Sequence, residues 1–167
     1  GKASQFRDSL QQLIKQLRGE IGRAFDNQAF RDAVLKIRHD MADQREDIYR
    51  QVQDKAKEVN ALLISSAEGL QIVPAKDGKP LQAEEFAALS DEEKASWRKV
   101  QQALQHDLNE AVFQARKLEA VADDELENLK KRVAGSVVGV ALTTIQEQYA
   151  DHEKVSAYLS ELHKDIL

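Results

Sequence analysis

Apolar residues in the first sixty positions recur at steps of three and four. Phe6, Leu10, Leu13, Ile14, Leu17, Ile21 and Phe25 make one face of a helix. Asp26-Asn27 offers capping side chains for a second helix. That helix carries Phe30, Val34, Ile37, Met41, Ile48, Val52, Ala56 and Val59, with Gln44 filling the place between Met41 and Ile48. Its seam is heptad-like, thin and interrupted by polarity, which predicts a two-helix contact rather than a deep core. The period then changes. Ala61-Leu62-Leu63-Ile64 and Leu70-Gln71-Ile72-Val73-Pro74 flank a loop containing Gly69, and Asp77-Gly78 follows. Two short apolar runs around a glycine loop, with a pair that tolerates positive φ, predict a small β element over 61–82. Ser90-Asp91-Glu92-Glu93 has the form of a capping box. It opens a long stripe: Trp97, Val100, Leu104, Leu108, Ala111, Ala115, Leu118, Ala122, Leu126, Leu129 and Val133, continuing through Val137, Val140, Leu142 and Ile145 to Tyr149. Asp151 can start a last helix with Val155, Tyr158, Leu159, Leu162 and Ile166.

The helix breakers sharpen this picture. Neither Gly nor Pro occurs between Arg23 and Glu68, nor between Leu81 and Ala134, whereas Pro74, Pro80, Gly69 and Gly78 crowd into one short stretch. The expected fold is mainly α: a long antiparallel, coiled-coil-like helical hairpin with a small β-hairpin tip near 61–82 and a helical-bundle base. The arms are expected at 30–59 and 90–120, the β-containing tip at 60–89, and the base at 1–29 and 121–167. End-to-end pairing of 30–59 with 91–120 is the expected register. Val133–Ile145, uncharged all round, is the expected buried centre of the base. Gly19-Gly22 and Gly135-Gly139 are the places where the helices would bend, and Gly135 and Gly139 have the spacing of close helix packing. The pattern runs out at Leu167 without a C-terminal cap, the expectation for a segment of a larger protein.

Composition and charge narrow the function. The 167 residues are 32% charged and 5% aromatic, with no Cys. Disulfide scaffolds, thiolate metal sites and cysteine nucleophiles are excluded. The formal net charge is −5, so no uniformly basic surface collects phosphates, and nucleic-acid binding is not expected. Residues 1–60 hold 12 Lys/Arg and 10 Asp/Glu, a net of +2, and residues 61–167 hold 12 and 19, a net of −7. The mild complementarity favours an antiparallel fold-back. No uncharged run reaches the roughly 18 residues of a membrane span, so no membrane partner is expected.

Candidate chemistry is sparse. Gly78-Lys79 lacks the first glycine and the Ser/Thr of a phosphate loop, which fall at Val73 and Pro80. His39, His106, His152 and His163 form no zinc spacing. Glu119, Asp123, Asp124, Glu125 and Glu127, followed by Lys130-Lys131-Arg132, read as a solvated, ion-paired helix face. Trp97, with Phe86 and Leu89, either seals the β element onto the arms or offers an apolar contact. No catalytic, cofactor-binding or metal-ligating residue is assigned.

One stretch is more specific: Gly69-Leu70-Gln71-Ile72-Val73-Pro74-Ala75-Lys76-Asp77-Gly78-Lys79-Pro80-Leu81, continuing into Glu84-Glu85-Phe86, Leu89-Ser90 and Glu92-Glu93-Lys94. Tyr149-Ala150-Asp151, Val155, Tyr158-Leu159 and Asp165-Ile166-Leu167 form a second. With these and the Phe6, Phe25, Phe30 rhythm, nearly the whole chain resembles the helical insertion of bacterial Lon-related ATP-dependent proteases. The resemblance implies a parent with an AAA+ ATPase module and a Ser–Lys peptidase module, using ATP and Mg. It also implies a ring-shaped homo-oligomer that degrades unfolded or damaged protein in the bacterial cytoplasm. None of the motifs for those activities lies here. The family's peptidase motif P-K-D-G-P-S-A fits Pro74–Leu81 only if Ala75 and Lys79 are extra residues, and it leaves Leu81 in the place of the serine. The expectation is therefore a noncatalytic insertion that recognises, gates or positions protein substrates for the ring. Contact would run through Leu70, Ile72, Val73, Phe86 and Trp97. The alternative is a freestanding coiled-coil adaptor or scaffold that self-associates.

Overall fold

The computed structural model describes the backbone from Gly1 to Ile166. Leu167, where the uncapped end was expected, lies outside the described residues, as do the side chains of Lys2, Leu162, Asp165 and Ile166. The fold is mainly α with a small antiparallel sheet, in the order α1 (Lys2–Phe25), α2 (Gln28–Glu58), β1 (Ala61–Ser66), β2 (Gly69–Lys76), β3 (Lys79–Pro80), α3 (Ala83–Ala87), α4 (Asp91–Gln148) and α5 (Glu153–Ile166).

Local chemistry sets the joints. The Asn27 side chain accepts the Ala29 N–H at 2.7 Å and so caps α2. Asn60, with φ of 55°, turns the chain out of α2 into β1, a left-handed position that asparagine tolerates. Asp77 and Gly78, with φ of 51° and 75°, make the two-residue turn between β2 and β3. The capping box at α4 forms in both directions: Glu93 N–H donates to Ser90 Oγ at 3.1 Å, and Ser90 N–H donates to Glu93 Oε2 at 2.8 Å. The last helix begins at Glu153 rather than at Asp151, because the His152 carbonyl accepts its first amides, Val155 N–H and Ser156 N–H. Both α1 and α4 run unbroken through their glycine pairs.

The chain forms two compact units. Residues 39–122 make one; residues 1–38 with 123–167 make the other. In the 39–122 unit, α2 and α4 run antiparallel: moving along α2 from Arg45 to Lys55 goes with moving back along α4 from Glu119 to Asp107 (Arg45–Glu119 3.2 Å, Lys55–Asp107 3.1 Å). Val52, Ala56, Leu104, Leu108 and Ala111 are buried between them, joined by Ala61 and Ile72 of the sheet. The seam is thin, as its polar interruption implied, and alanine supplies several of its contacts. Its register is offset from end-to-end pairing of 30–59 with 91–120. The first turns of α4 extend past α2 and lay Trp97 and Val100 on the cluster that Leu63 and Ile72 complete. The apolar face of the sheet needs covering, and that demand fixes the offset.

In the other unit Leu142, Ile145 and Leu159 are buried, with Leu13, Val138, Tyr149 and Val155 packed around them. Phe6 meets Tyr149 edge-on at 5.5 Å, and the Tyr149 hydroxyl donates to Ser9 Oγ at 2.9 Å. The stretch Val133–Ile145 is not buried all round. Val140 is 69% exposed, and Thr143 and Thr144 sit on the surface with their hydroxyls bonded to the Gly139 and Val140 carbonyls. A stretch without charge can still be one-sided: threonine satisfies itself on its own helix, and neighbours pack on one flank only. Close packing at the glycine pair is likewise overturned at Gly139, where an added Cβ would meet nothing within 4 Å.

Candidate interaction surface on the sheet

The strand register decides where the five expected contact residues go. β1 pairs antiparallel with β2, with Leu62 opposite Val73, Leu63 opposite Ile72 and Ile64 opposite Gln71. Side chains alternate across a strand, so Ile72 and Val73 cannot serve the same surface. Ile72 is 5% exposed and belongs to the helix-facing cluster with Leu63, which removes it from any contact surface. Trp97 is half-buried against that same cluster and seals the sheet onto the helices. Leu70 is 38% exposed, beside the Ala67-Glu68 turn. Val73 is half-buried on the opposite face, with Leu62 opposite it. Phe86 is half-buried in α3. The five therefore divide between a core role and separate surface positions. The residues missed by sequence reasoning are Leu62 and Ile64, which share the face of Val73; the period-two alternation of the strands was the signal for them.

The backbone of β1 adds a feature that no spacing announces. Ala75 N–H donates to the Asn60 carbonyl at 2.8 Å, so Leu62, Ile64 and Ser66 take the positions that bond to β2. The alternate residues, Ala61, Leu63 and Ser65, turn their N–H and C=O groups to the free edge. At that edge Leu63 N–H donates to Gln53 Oε1 of α2 at 2.9 Å. Ala61 is 1% exposed, while Ser65 is exposed. The accessible edge is therefore Leu63 to Ser65, part of it already occupied by a side-chain carbonyl.

The remaining candidate chemistry is dispersed. Gly78-Lys79 lies in a strand–turn–strand hairpin. A phosphate cradle needs its loop to open onto a helix N-terminus, so these residues do not fit ATP or its Mg ion. His39 pairs with Asp43 at 3.1 Å on exposed helix surface, Asp107 pairs with Lys55, and Glu127 pairs with Lys130 at 3.2 Å. Among the described residues no polar or charged side chain is buried, and no group of three or more His, Asp or Glu comes together as a metal site. Among the described residues two groups are displaced from their ordinary pKa. Glu93 is held low by the Ser90 backbone N–H and then by the Ser90 hydroxyl; Arg50 is pushed up by its hydrogen bond to Glu46 and by the charge of Asp47. Among the described residues no helix is long and apolar enough to cross a membrane. No family model, curated protein or solved structure matches the chain.

Proposed function

We propose that the chain is the noncatalytic helical insertion of a bacterial, cytoplasmic Lon-related ATP-dependent protease. In this reading the sheet end of the 39–122 unit meets unfolded or damaged protein, and the rest of the parent homo-oligomeric ring is its other partner. ATP and Mg act in the parent's ATPase module. The resemblance of residues 69–94 to the insertions of that family brings the reading forward, and one observation carries it furthest. Those residues supply β2, β3, the turn between them and the α4 cap; paired with β1 they leave Leu70 exposed beside a turn, with Leu62, Ile64 and Val73 on the face turned from the helices. A sheet held by helices on one face and carrying apolar side chains on the other suits capture of extended protein better than it suits chemistry.

The test is native mass and peptide mapping of the polypeptide that contains Leu70–Leu81, followed by degradation assays. A parent several times 18.8 kDa with ATPase and peptidase peptides is expected. A Leu70→Ser, Phe86→Ser variant of that parent should degrade an unfolded reporter more slowly while its ATP hydrolysis persists. Unchanged degradation would remove the contact role, and a native product near 18.8 kDa would remove the protease reading.

The self-associating adaptor keeps one supporting observation: Phe113 and Val121 of α4 are 55% and 54% exposed. A dimer that strengthens with concentration in sedimentation, and weakens in Phe113→Ser, would favour it.

A further inference from the structure

The free edge of β1 is met at Leu63 by one side chain from α2. A sheet edge presents unpaired N–H and C=O groups, and proteins that keep such an edge from pairing cover it or charge it. Here the cover is Gln53. Its Oε1 lies 2.9 Å from Leu63 N, the place and distance that a carbonyl from a neighbouring strand would take. Gln53 is anchored on α2, so it supplies a single bond and leaves the next outward residue, Ser65, exposed. Among the described residues nothing bonds to the Leu63 C=O or to the N–H and C=O of Ser65. They repeat at the two-residue spacing of a strand.

From this geometry we propose that β1 binds an extended polypeptide segment by strand addition along Leu63–Ser65, and that Gln53 is the latch which the incoming carbonyl displaces. The occupant follows from the chemistry of the edge. Only another extended backbone supplies an acceptor for Leu63 N–H and a donor and acceptor for Ser65 at matching spacing. Leu62 and Ile64 sit on the outer face beside this edge, with Val73 behind Leu62. They favour a guest with apolar side chains at alternate positions, which is what an unfolded chain offers and a folded surface hides. The mode deepens the proposed function and rests on it for the guest's identity. The edge itself belongs to this chain alone, so it is tested without the parent.

The probe is a fluorescein-labelled decapeptide alternating Val and Thr, titrated against the full chain by anisotropy, with amide hydrogen exchange of Leu63 and Ser65 followed in parallel. Ser65→Pro is the deciding variant. The Ser65 N–H points away from β2, so proline is tolerated there as it is on other edge strands, yet it removes a donor and places a ring in the guest's path. Binding should fall about tenfold or more, since each lost hydrogen bond accounts for roughly a fivefold change and the ring adds a clash. Gln53→Ala should tighten binding about fivefold by removing the competing carbonyl. Leu63 and Ser65 amides should gain protection on binding. Circular dichroism unchanged in Ser65→Pro confirms that the fold survives; should that variant unfold, the Gln53→Ala affinity and the exchange pattern decide. Absence of binding in both the wild type and Gln53→Ala overturns the inference. Binding that survives Ser65→Pro but fails in Leu70→Ser also overturns the edge mode, while leaving the proposed function standing.

Discussion

Ile72 and Leu70 sit two residues apart on one strand, and truncating each to alanine separates the two roles the sheet combines. Ile72 is 5% exposed and lies in the cluster with Leu104, Leu108 and Leu63; Leu70 is 38% exposed beside the turn. Ile72→Ala removes buried carbon from a site shared with Leu104 and Leu108 of α4 and Leu63 of the paired strand. The surroundings cannot close fully around the gap, so the cost is about 3 kcal/mol, the transfer loss plus a cavity contribution. Leu70→Ala removes carbon that is already part-hydrated and leaves an opening to water instead of a cavity, so its cost is about 1 kcal/mol. Trp97 is the one tryptophan of the chain and packs against this cluster, so its emission reports on the unit in question without interference from the other. With a urea m-value of about 2 kcal/mol per M, the Trp97 midpoint should fall by about 1.5 M in Ile72→Ala and by about 0.5 M in Leu70→Ala. Far-ultraviolet ellipticity should follow a different profile, since two compact units need not unfold together. Equal shifts of the fluorescence midpoint, or a larger shift for Leu70→Ala, would refute the assignment of the two residues to core and rim.

Three further outcomes follow from named contacts. A double-mutant cycle on Lys55 and Asp107 should give a coupling of about 0.5 kcal/mol that shrinks toward zero in 1 M salt, because the pair is largely exposed; a coupling insensitive to salt would contradict the assigned exposure. Gly139→Ala should stabilise α4 by about 0.5–1 kcal/mol in thermal unfolding, since the helix gains a better former and the new methyl has open space; destabilisation would mean that a neighbour packs there after all. Glu93, held low by Ser90, should titrate below an ordinary glutamate in a carboxyl-detected NMR series. A depressed folded-state pKa means that the box supports the helix above the ordinary Glu value and that this support is lost as the pH falls through the lower folded value. Helicity of the wild type should therefore drop more than that of Glu93→Gln over that window, and a Glu93 midpoint at or above the ordinary value would refute the box.

The division between what the chain announces and what it conceals follows the range of the forces. The joint at Asn27, the left-handed Asp77-Gly78 turn and the Ser90–Glu93 box are each settled by side chains bonding to backbone a few residues away, and all three were legible in order along the sequence. So were the helical stripes and the thinness of the α2–α4 seam, because amphipathic spacing is a property of one helix at a time. The expectation for Ile72 failed because a five-residue apolar run does not declare which alternate residues face inward; the pairing of Leu63 with Ile72 and the covering Trp97 decide it. The expectation for Val133–Ile145 held on one flank only: Leu142 and Ile145 are buried with Val138 packed against them, whereas Val140 is exposed, because absence of charge does not by itself say which sides of a helix have neighbours. Gln53 lay outside any motif. Its meeting with Leu63 is created only when α2 ends, the chain reverses through Asn60, and the offset of α4 sets the sheet against the helices. The elements, their caps and their turns could be read along the chain, since each is settled by contacts between residues a few positions apart. The register, the faces and the edge emerge only on folding, since they depend on which apolar surfaces must be covered at once and which backbone groups are then left facing water.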